Sequence, residues 1–285
     1  MNDKIFQRHE IKYMVTDSLR DAVIRDMSAR MIPDPHGKST VCNVYFDTPD
    51  YRLIRRSLEK PEYKEKIRIR SYGKCRPDDK IFMELKKKCR GVVYKRRISL
   101  TEAECESYLA GRAPLPVDSQ IGREIDYFRS FYRGLAPKVY LCYDREAFYD
   151  REDDSFRVTF DRNIRYRETG LSLTSEPGGR LILPDGYSLM EIKTGGAIPL
   201  WFVEMITRYR LSKASFSKYG TAYGIILREK LDKDGCFVRG NAAFSPKADR
   251  QYRDMRKTER GKINAGYAFF GNNDGREPVA HSLFN

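Results

Sequence analysis

Lys66-Ile67-Arg68-Ile69-Arg70 alternates cations with isoleucines. Successive side chains of a strand point to opposite faces, so this stretch places three cations on one face and two isoleucines on the other. The same two-residue spacing of charge returns in four more strand-like segments: Arg8, Glu10 and Lys12; Glu84 and Lys86; Lys95 and Arg97; Glu191 and Lys193. One such strand is ordinary, because a half-buried sheet leaves its charged face in water. Five that mix many cations with few carboxylates predict a closed barrel whose lumen binds a polyanion together with a metal.

The overall charge also favours an anionic partner. The 285 residues include 54 Lys and Arg against 40 Asp and Glu, which gives a net charge of +14. The excess is local, because residues 60–97 hold fifteen basic and only five acidic residues. Such charge suits nucleic acid, a phosphate-rich metabolite or an anionic membrane surface, and does not choose among them. The two-residue spacing is what favours a lined cavity over a solvated face.

Cysteine spacing and hydropathy bear on the cellular compartment. The six cysteines are scattered and form no C-x-x-C pair, which argues against a zinc site and for reduced thiols. No apolar stretch reaches the length of a membrane-spanning helix, and the N-terminus lacks the apolar region of a signal peptide. We therefore expect a cytoplasmic protein, and the basic patches leave open a peripheral contact with a membrane.

Helix and strand signals alternate along the chain in a pattern typical of an α+β protein. An N-capped helix is predicted to start at Asp17 and end before Pro33, and Thr101-x-x-Glu104 is a capping box that opens a second helix. Further helices are predicted over 118–133, 199–210 and 218–231. Strands are predicted over 41–46, 64–72, 80–87, 92–99, 139–148, 156–167, 179–183 and 187–193. The interpretation is a sheet of about eight strands with peripheral helices.

The composition changes near residue 232. Beyond it the chain is rich in Gly, Asn, Asp, Arg and Lys, and its apolar residues follow no sustained period. We expect a folded domain over 1–231 and a flexible, basic tail over 232–285.

Several short strings together resemble the VTC domain, the catalytic module of the vacuolar transporter chaperone complex, within the triphosphate tunnel metalloenzymes. They are Arg8-His9-Glu10-Ile11-Lys12-Tyr13, Tyr45-Phe46-Asp47-Thr48, Lys66-Ile67-Arg68-Ile69-Arg70, Glu84-Leu85-Lys86, Tyr143-Asp144-Arg145-Glu146-Ala147-Phe148, Glu191-Ile192-Lys193 and Ser215-Phe216-Ser217-Lys218-Tyr219. The resemblance runs from about Gln7 to Arg228. It implies an eight-stranded antiparallel tunnel that transfers the γ-phosphate of ATP to a growing polyphosphate chain and releases ADP.

The resemblance also implies roles for individual residues. The positions that match the family's phosphate contacts are Lys12, Arg68, Arg70, Lys86, Lys95, Arg145 and Lys218, and further lining residues are Arg8, Arg97, Lys193 and Ser217. Glu191 matches the family's metal-binding glutamate, for Mn²⁺ or Mg²⁺. Glu10 is either a second metal ligand or an ion-pair partner for the nearby cations. Family members also work with membrane-spanning modules, so a membrane-protein partner outside this sequence is implied.

Two other functions stay open. Tunnel hydrolases begin with Glu-x-Glu-x-Lys, whereas Arg8-x-Glu10-x-Lys12 replaces one metal carboxylate with a cation and so weakens the triphosphatase alternative. The other alternative is a subunit that binds polyphosphate without turnover. Specific nucleic-acid binding is not expected, because no aromatic or helical reading element accompanies the charge.

Overall fold

The computed structural model describes residues 9–90 and 92–233, and these form a nine-stranded antiparallel sheet with six helices. The strands are β1 (His9–Thr16), β2 (Met31–Asp47), β3 (Tyr63–Tyr72), β4 (Lys80–Cys89), β5 (Val92–Thr101), β6 (Ala136–Asp150), β7 (Arg157–Arg167), β8 (Arg180–Leu181) and β9 (Tyr187–Thr194). The helices are α1 (Asp17–Met27), α2 (Arg52–Leu58), α3 (Glu102–Leu109), α4 (Gln120–Phe131), α5 (Leu200–Arg208) and α6 (Lys218–Lys233). The α+β class is confirmed. Arg8 and the tail from residue 234 onward lie outside the described residues.

Eight of the strands follow one another in the order β1-β9-β7-β6-β2-β3-β4-β5, and β8 pairs with β7. The predicted antiparallel wall is confirmed, but its predicted closure is wrong, because no ladder joins β1 to β5 in the described ranges. The segment before α6 occupies the edge of β1 instead, where the Ala214 amide donates to the Lys12 carbonyl at 2.7 Å. Lys86 Nζ of β4 lies 3.7 Å from Glu10 Oε2 of β1, so charged side chains from the two ends of the sheet meet although their strands do not pair.

The apolar faces of the strands point outward and are covered by helices. Ile67 and Leu85 pack in a cluster with side chains of α3 and α4, while Met190 and Ile192 pack in a second cluster with α1 and α5. Burial of each such side chain contributes about 1.5 to 3 kcal/mol. Because the helices cover the outer faces, the alternating charged residues are turned towards the concave side of the sheet, which we call the lumen.

Local signals set several element boundaries. The capping box of α3 is confirmed, since Thr101 Oγ1 accepts a hydrogen bond from the Glu104 amide and Glu104 Oε2 accepts one from the Thr101 amide. Strand β2 begins at Met31, ten residues before the predicted start, and its pairing with β6 shifts register between Pro33 and Lys38. Proline has no N–H to give to a ladder, so an irregularity is expected beside it.

Helix α2 was not predicted, and it follows the end of β2 at Asp47. The Asp47 carboxylate is buried and accepts hydrogen bonds from the amides of Leu53, at 2.8 Å, and Ile54, at 3.0 Å. These are amides of the first turn, which have no partner inside the helix.

In the part of the chain that the structure describes, no helix combines the length and the apolar character needed to cross a bilayer.

Candidate functional site

A cavity of about 510 Å³ occupies the lumen, between the polar faces of the strands and the start of α6. Nine cations and three carboxylates line it: Lys12, Lys66, Arg68, Arg70, Lys86, Lys95, Arg145, Lys193, Lys218, Glu10, Glu84 and Glu191. The other lining residues are Tyr45, Val93, Tyr143, Ser217 and Tyr219. Positive charge at this density, between walls that exclude water, attracts and holds anions.

The structure brings together every predicted site residue that it describes except one. Arg97 is absent from the cavity lining and lies beside it, where its guanidinium donates to Glu84 Oε1 and stacks 4.4 Å from the centre of the Phe82 ring. Arg8 precedes the first described residue. The lining residues therefore come from the predicted alternation on β1, β3, β4, β5 and β9, together with residues of β2 and β6 and the segment that opens α6.

The wall formed by β1 and β9 carries two carboxylates among lysines. Lys12 pairs with Glu191 in the ladder, and Glu10 pairs with Lys193. Lys12 Nζ lies 2.9 Å from Glu10 Oε1, and Lys193 Nζ lies 2.8 Å from Glu191 Oε1. Burial would raise the pKa of Glu191, but the charges of Lys193, Lys218 and Lys12 hold that pKa well below its ordinary value. Glu191 is therefore an ionised carboxylate on the lumen wall.

The chemistry of this wall fits a hard divalent cation. Burial and the charge of Glu191 raise the pKa of Glu10, and Lys12 and Lys86 outweigh them, so Glu10 is ionised too. Carboxylate oxygens are the ligands that Mn²⁺ and Mg²⁺ prefer. Opposite Glu191 in the next ladder, Thr159 Oγ1 is buried without a hydrogen-bond partner among the described residues. It is a further oxygen donor next to Glu191, suited to a metal-bound water or a phosphate.

Glu84 organises the wall formed by β3, β4 and β5. Its side chain is 2% exposed, Arg68 Nε donates to its Oε2 at 2.8 Å, and Lys95 Nζ lies 3.1 Å from its Oε1. Burial would raise the pKa of Glu84, yet Arg68, Arg70 and Lys95 keep it far below its ordinary value. The buried carboxylate fixes the direction of the Arg68 guanidinium, and Asn43 Oδ1 fixes that of Arg70 by accepting a hydrogen bond from its Nε at 2.8 Å. Fixed guanidinium groups suit bidentate contact with phosphate oxygens.

Asp161 holds cations in position on the opposite wall of the lumen, as Glu84 does on its own wall. It is fully buried, and Arg145 donates to its two oxygens at 2.7 and 2.8 Å while Lys218 Nζ donates to Oδ2 at 2.5 Å. Burial would raise the pKa of Asp161, but Arg145 and Lys218 lower it to about 2. The ionised carboxylate thus holds a cation of β6 and a cation of α6 side by side at the lumen surface.

Tyr143 lies beside the same cations. Arg70 Nη2 donates to its phenol oxygen at 3.2 Å, and the guanidinium of Arg145 lies 5.1 Å from the centre of its ring. Burial would raise the pKa of Tyr143, but Arg145, Arg70 and Lys218 lower it to about 8. Its hydroxyl is therefore a polar group in a strongly positive field.

Lys66 faces other cations. It pairs with Lys86 in the β3–β4 ladder, and its Nζ is 3.4 Å from Ser217 Oγ. Burial and the charges of Lys64, Lys86 and Lys12 lower the pKa of Lys66 to about 7. An anion bound in the lumen would favour the protonated form of Lys66 and so restore its positive charge.

The first turn of α6 closes one side of the cavity. The Tyr219 ring stacks on Tyr45 with centroids 4.6 Å apart, and its hydroxyl donates to Asp47 Oδ2 at 2.9 Å. Lys12 Nζ donates to the Phe216 carbonyl at 3.0 Å, which ties β1 to the same segment. These contacts place Lys218 in the lumen.

Sequence reasoning assigned no role to several of these residues. Lys66 and Glu84 lie on the predicted alternating face, so the spacing that identified their neighbours also contains them. Tyr143 precedes Arg145 by two residues and shares its face in the same way. Asp161 has a weaker signal, because it is a single acid that shares its strand face with the uncharged Thr159.

Comparison with known proteins places these features in a family. The family model of the VTC domain matches residues 7–227. Vacuolar transporter chaperone complex subunit 4 of Trypanosoma cruzi (strain CL Brener) is 28% identical over 286 residues, which cover 79% of this chain and 34% of that protein. The subunit 4 of Trypanosoma brucei brucei (strain 927/4 GUTat10.1) is 28% identical over 225 residues, 66% of this chain and 28% of that protein. The chain thus spans about a third of the length of the curated relatives it matches.

Among solved structures, a candidate adenylate cyclase from Bacillus halodurans aligns with a TM-score of 0.47 and 14% sequence identity. The alignment covers 74% of this chain and 95% of that one.

Proposed function

The chain belongs to the VTC domain family, and from this premise we propose that it is an ATP-dependent polyphosphate polymerase. It transfers the γ-phosphate of ATP to a growing polyphosphate chain inside the lumen and releases ADP. The observation that supports this most is the lining itself, nine cations against three carboxylates around about 510 Å³. A polyanion is the ligand whose charge such a lining matches.

Phosphoryl transfer asks a protein mainly for positioning and for charge on the phosphate oxygens. Arg68, ordered by Glu84, and Arg70, ordered by a hydrogen bond to Asn43 Oδ1, contact the oxygens of the transferring phosphate from one wall. Arg145 and Lys218, ordered by Asp161, contact it from the other. Both pairs are held before substrate arrives, so little reorganisation is needed when charge shifts in the transition state.

The lysines have a different role from the arginines. Lys12, Lys86, Lys95 and Lys193 end in ammonium groups on long, flexible stems, each a point charge that can exchange one anionic partner for another. Such groups keep contact with a chain while the chain moves by one phosphate. A set of lysines therefore suits a product that must slide after every transfer.

Glu191 and Glu10 are the residues that would hold Mn²⁺ or Mg²⁺. When bound there, the ion supplies further neutralisation of phosphate oxygens. Lys12 and Lys193 keep the two carboxylates ionised and in place. Water and phosphate oxygens take the remaining coordination positions.

A metal-dependent triphosphatase on the same sheet would need water as the nucleophile. Each carboxylate of the lumen lining is engaged by a cation: Glu84 by Arg68, Glu191 by Lys193, and Glu10 by Lys12. Carboxylates held in this way are poor general bases for water, because a neighbouring cation lowers proton affinity. This favours a phosphate as the nucleophile.

The partners belong to the same proposal. The acceptor is polyphosphate or another triphosphate-bearing anion, and the donor is ATP. A membrane-protein partner, and a cytoplasmic location at the surface of a membrane, are further parts of the proposal. Co-purification of the chain with membranes, lost in high salt, would support the peripheral location.

The test of the reaction follows all products in one tube. Purified protein is incubated with γ-labelled ATP and Mn²⁺, the labelled products are resolved on a gel, and ADP and free phosphate are quantified. A ladder of labelled chains with matching ADP supports the polymerase. Free phosphate without a ladder would indicate the triphosphatase, and absence of any metal-dependent product would leave a binding subunit.

A further inference from the structure

A row of lysines leads from the lumen to its rim. Lys66 lies opposite Lys86, and Lys64 lies opposite Lys88, in consecutive lumen-facing pairs of the β3–β4 ladder. Lys86 in turn lies opposite Lys95 on β5. Like charges directly opposite each other in a ladder destabilise a sheet. The row is therefore costly to the free protein and becomes favourable when a polyanion lies along it.

Lys64 connects this row to helix α2. Its Nζ donates to the Ser57 carbonyl at 3.2 Å, near the end of α2. It also lines a small pocket at the rim together with Arg52 and Arg56. We call these three residues, Arg52, Arg56 and Lys64, the α2 cation patch.

The two arginines of the α2 cation patch lie on one face of the helix, because they are four residues apart. Both are exposed, and neither forms an ion pair with a carboxylate within the described ranges. Arg52 lies over the Tyr132 ring, with its guanidinium 5.7 Å from the ring centre. Arg55, on another face of the same helix, does have a partner in Asp50. The arginines that face the pocket are thus the ones without a counter-ion.

The pocket contains one carboxylate, Glu65, which forms no ion pair with either arginine in the described ranges. Glu65 is 8% exposed, and its two oxygens accept hydrogen bonds from the Tyr63 and Tyr132 hydroxyls, both at 2.6 Å. Its hydrogen-bonding capacity is directed to these phenols, beneath the surface. With three cations around this single carboxylate, the α2 cation patch keeps a net positive charge beside the exposed Tyr63.

We propose that the α2 cation patch binds polyphosphate outside the lumen, so that a chain leaving the lysine row crosses Lys64 and continues over Arg52 and Arg56. This inference rests on the proposed function for the identity of the polyanion. The patch would hold only chains long enough to leave the lumen. It would raise the affinity for long product over short substrate, and so favour continued extension of the same chain.

The test compares two ligand lengths in the full chain. Dissociation constants for tripolyphosphate, which fits in the lumen, and for a long-chain polyphosphate are measured by titration at several salt concentrations. The variants are Arg56→Gln and Arg52→Gln/Arg56→Gln. The matched control is Arg112→Gln/Arg123→Gln, which removes the same formal charge from exposed arginines that are paired with Glu106 and Asp118.

We expect the Arg52→Gln/Arg56→Gln variant to bind the long chain about three- to tenfold more weakly. The slope of log affinity against log salt for the long chain should fall by about one to two. Tripolyphosphate affinity should be unchanged, and the control should match the wild type with both ligands. Because Arg52 packs on Tyr132, the melting temperature is recorded too, and Arg56→Gln alone should show part of the long-chain loss without that contact.

Two results would overturn the inference: a long-chain loss no larger than that of the control, or an equal loss for both ligand lengths. Failure of the proposed function has a different signature. In that case wild-type protein would form no labelled polyphosphate ladder from ATP and Mn²⁺, and a long-chain loss confined to the α2 variants would still support the patch.

Discussion

At the scale of single residues, each buried acid of the lumen wall holds neighbouring cationic side chains in position. Glu84 and Asp161 are buried, and each accepts hydrogen bonds or ion pairs from cations on two different elements. Removal of one partner from such a buried set is costly, because the remaining charge stays out of water without compensation. The acids thus fix the positions of phosphate-binding groups and contribute no binding charge of their own.

Glu191 and Arg70 are predicted to separate turnover from binding. Glu191→Ala should lower metal-dependent turnover by at least about a hundredfold, because a metal-held charge contributes several kcal/mol to the transition state. It should leave tripolyphosphate affinity within about threefold of the wild type or slightly tighter, since it frees Lys12 and Lys193 from an anionic partner. Arg70→Ala should lower both the metal-dependent turnover and the affinity for tripolyphosphate. The rates come from ADP release and the affinities from calorimetry.

Equal loss of affinity in the two variants, with both still folded, would contradict these assignments. Arg97→Ala is an informative comparison, because Arg97 contacts Glu84 without lining the cavity. Arg97→Ala should weaken the affinity for tripolyphosphate less than Arg70→Ala does.

Lys66 is predicted to make binding depend on pH. The free protein has a Lys66 pKa of about 7, so the ammonium charge is present at pH 6 and mostly lost at pH 8. Bound phosphate stabilises the charged form and raises that pKa, so affinity should fall by up to about tenfold from pH 6 to pH 8 through this group. Tripolyphosphate titrations in wild type and Lys66→Gln separate this effect from the titration of the ligand. A pH dependence that is the same in both proteins would contradict the assignment.

At the scale of elements, the first turn of α6 depends on one buried hydrogen bond. Tyr219 donates to the Asp47 carboxylate, which also accepts amide hydrogen bonds from α2. Tyr219→Phe keeps the ring that stacks on Tyr45 but removes one of the two hydrogen bonds that Asp47 Oδ2 accepts, the other coming from the Ile54 amide. We expect the free energy of unfolding to fall by about 1.5 to 3 kcal/mol. Denaturant unfolding measures this, and Tyr127→Phe, at an exposed tyrosine of α4, should change it little.

A second consequence follows for activity, because α6 carries Lys218. Loosening its first turn should lower substrate affinity even at temperatures where Tyr219→Phe is folded. Unchanged affinity in a measurably destabilised protein would show that Asp161 alone is sufficient to place Lys218.

Elements with strong local signals could be predicted from the sequence, and those fixed by distant contacts could not. The alternation at 66–70 and the capping box at Thr101 are local, and both appear in the structure. Helix α2 has no strong apolar period, and its first turn is stabilised by the Asp47 carboxylate, which is held in turn by Tyr219 from a distant part of the chain. Strand β2 extends through Pro33 because β6 pairs with it on both sides of the irregularity.

At the scale of the whole molecule, the sequence could predict a polar lumen but not how the sheet ends. Charged faces on five segments indicate a common interior without stating which strands are neighbours. The edge of β1 is covered by the segment around Ala214, about two-thirds of the chain length away from it in the sequence. Asp161 was missed for the same reason. Its role depends on Arg145 and Lys218, which only the strand order and the placement of α6 bring together.

The most direct test of the central claim is a crystal structure of the protein grown with tripolyphosphate and Mn²⁺, with anomalous data collected for manganese. We expect a phosphate chain in the lumen between the Glu84 and Asp161 walls, in contact with Arg68, Arg70 and Arg145. We also expect an anomalous peak beside Glu191. Phosphates confined to the outer surface, or manganese bound away from both Glu191 and Glu10, would contradict the central claim.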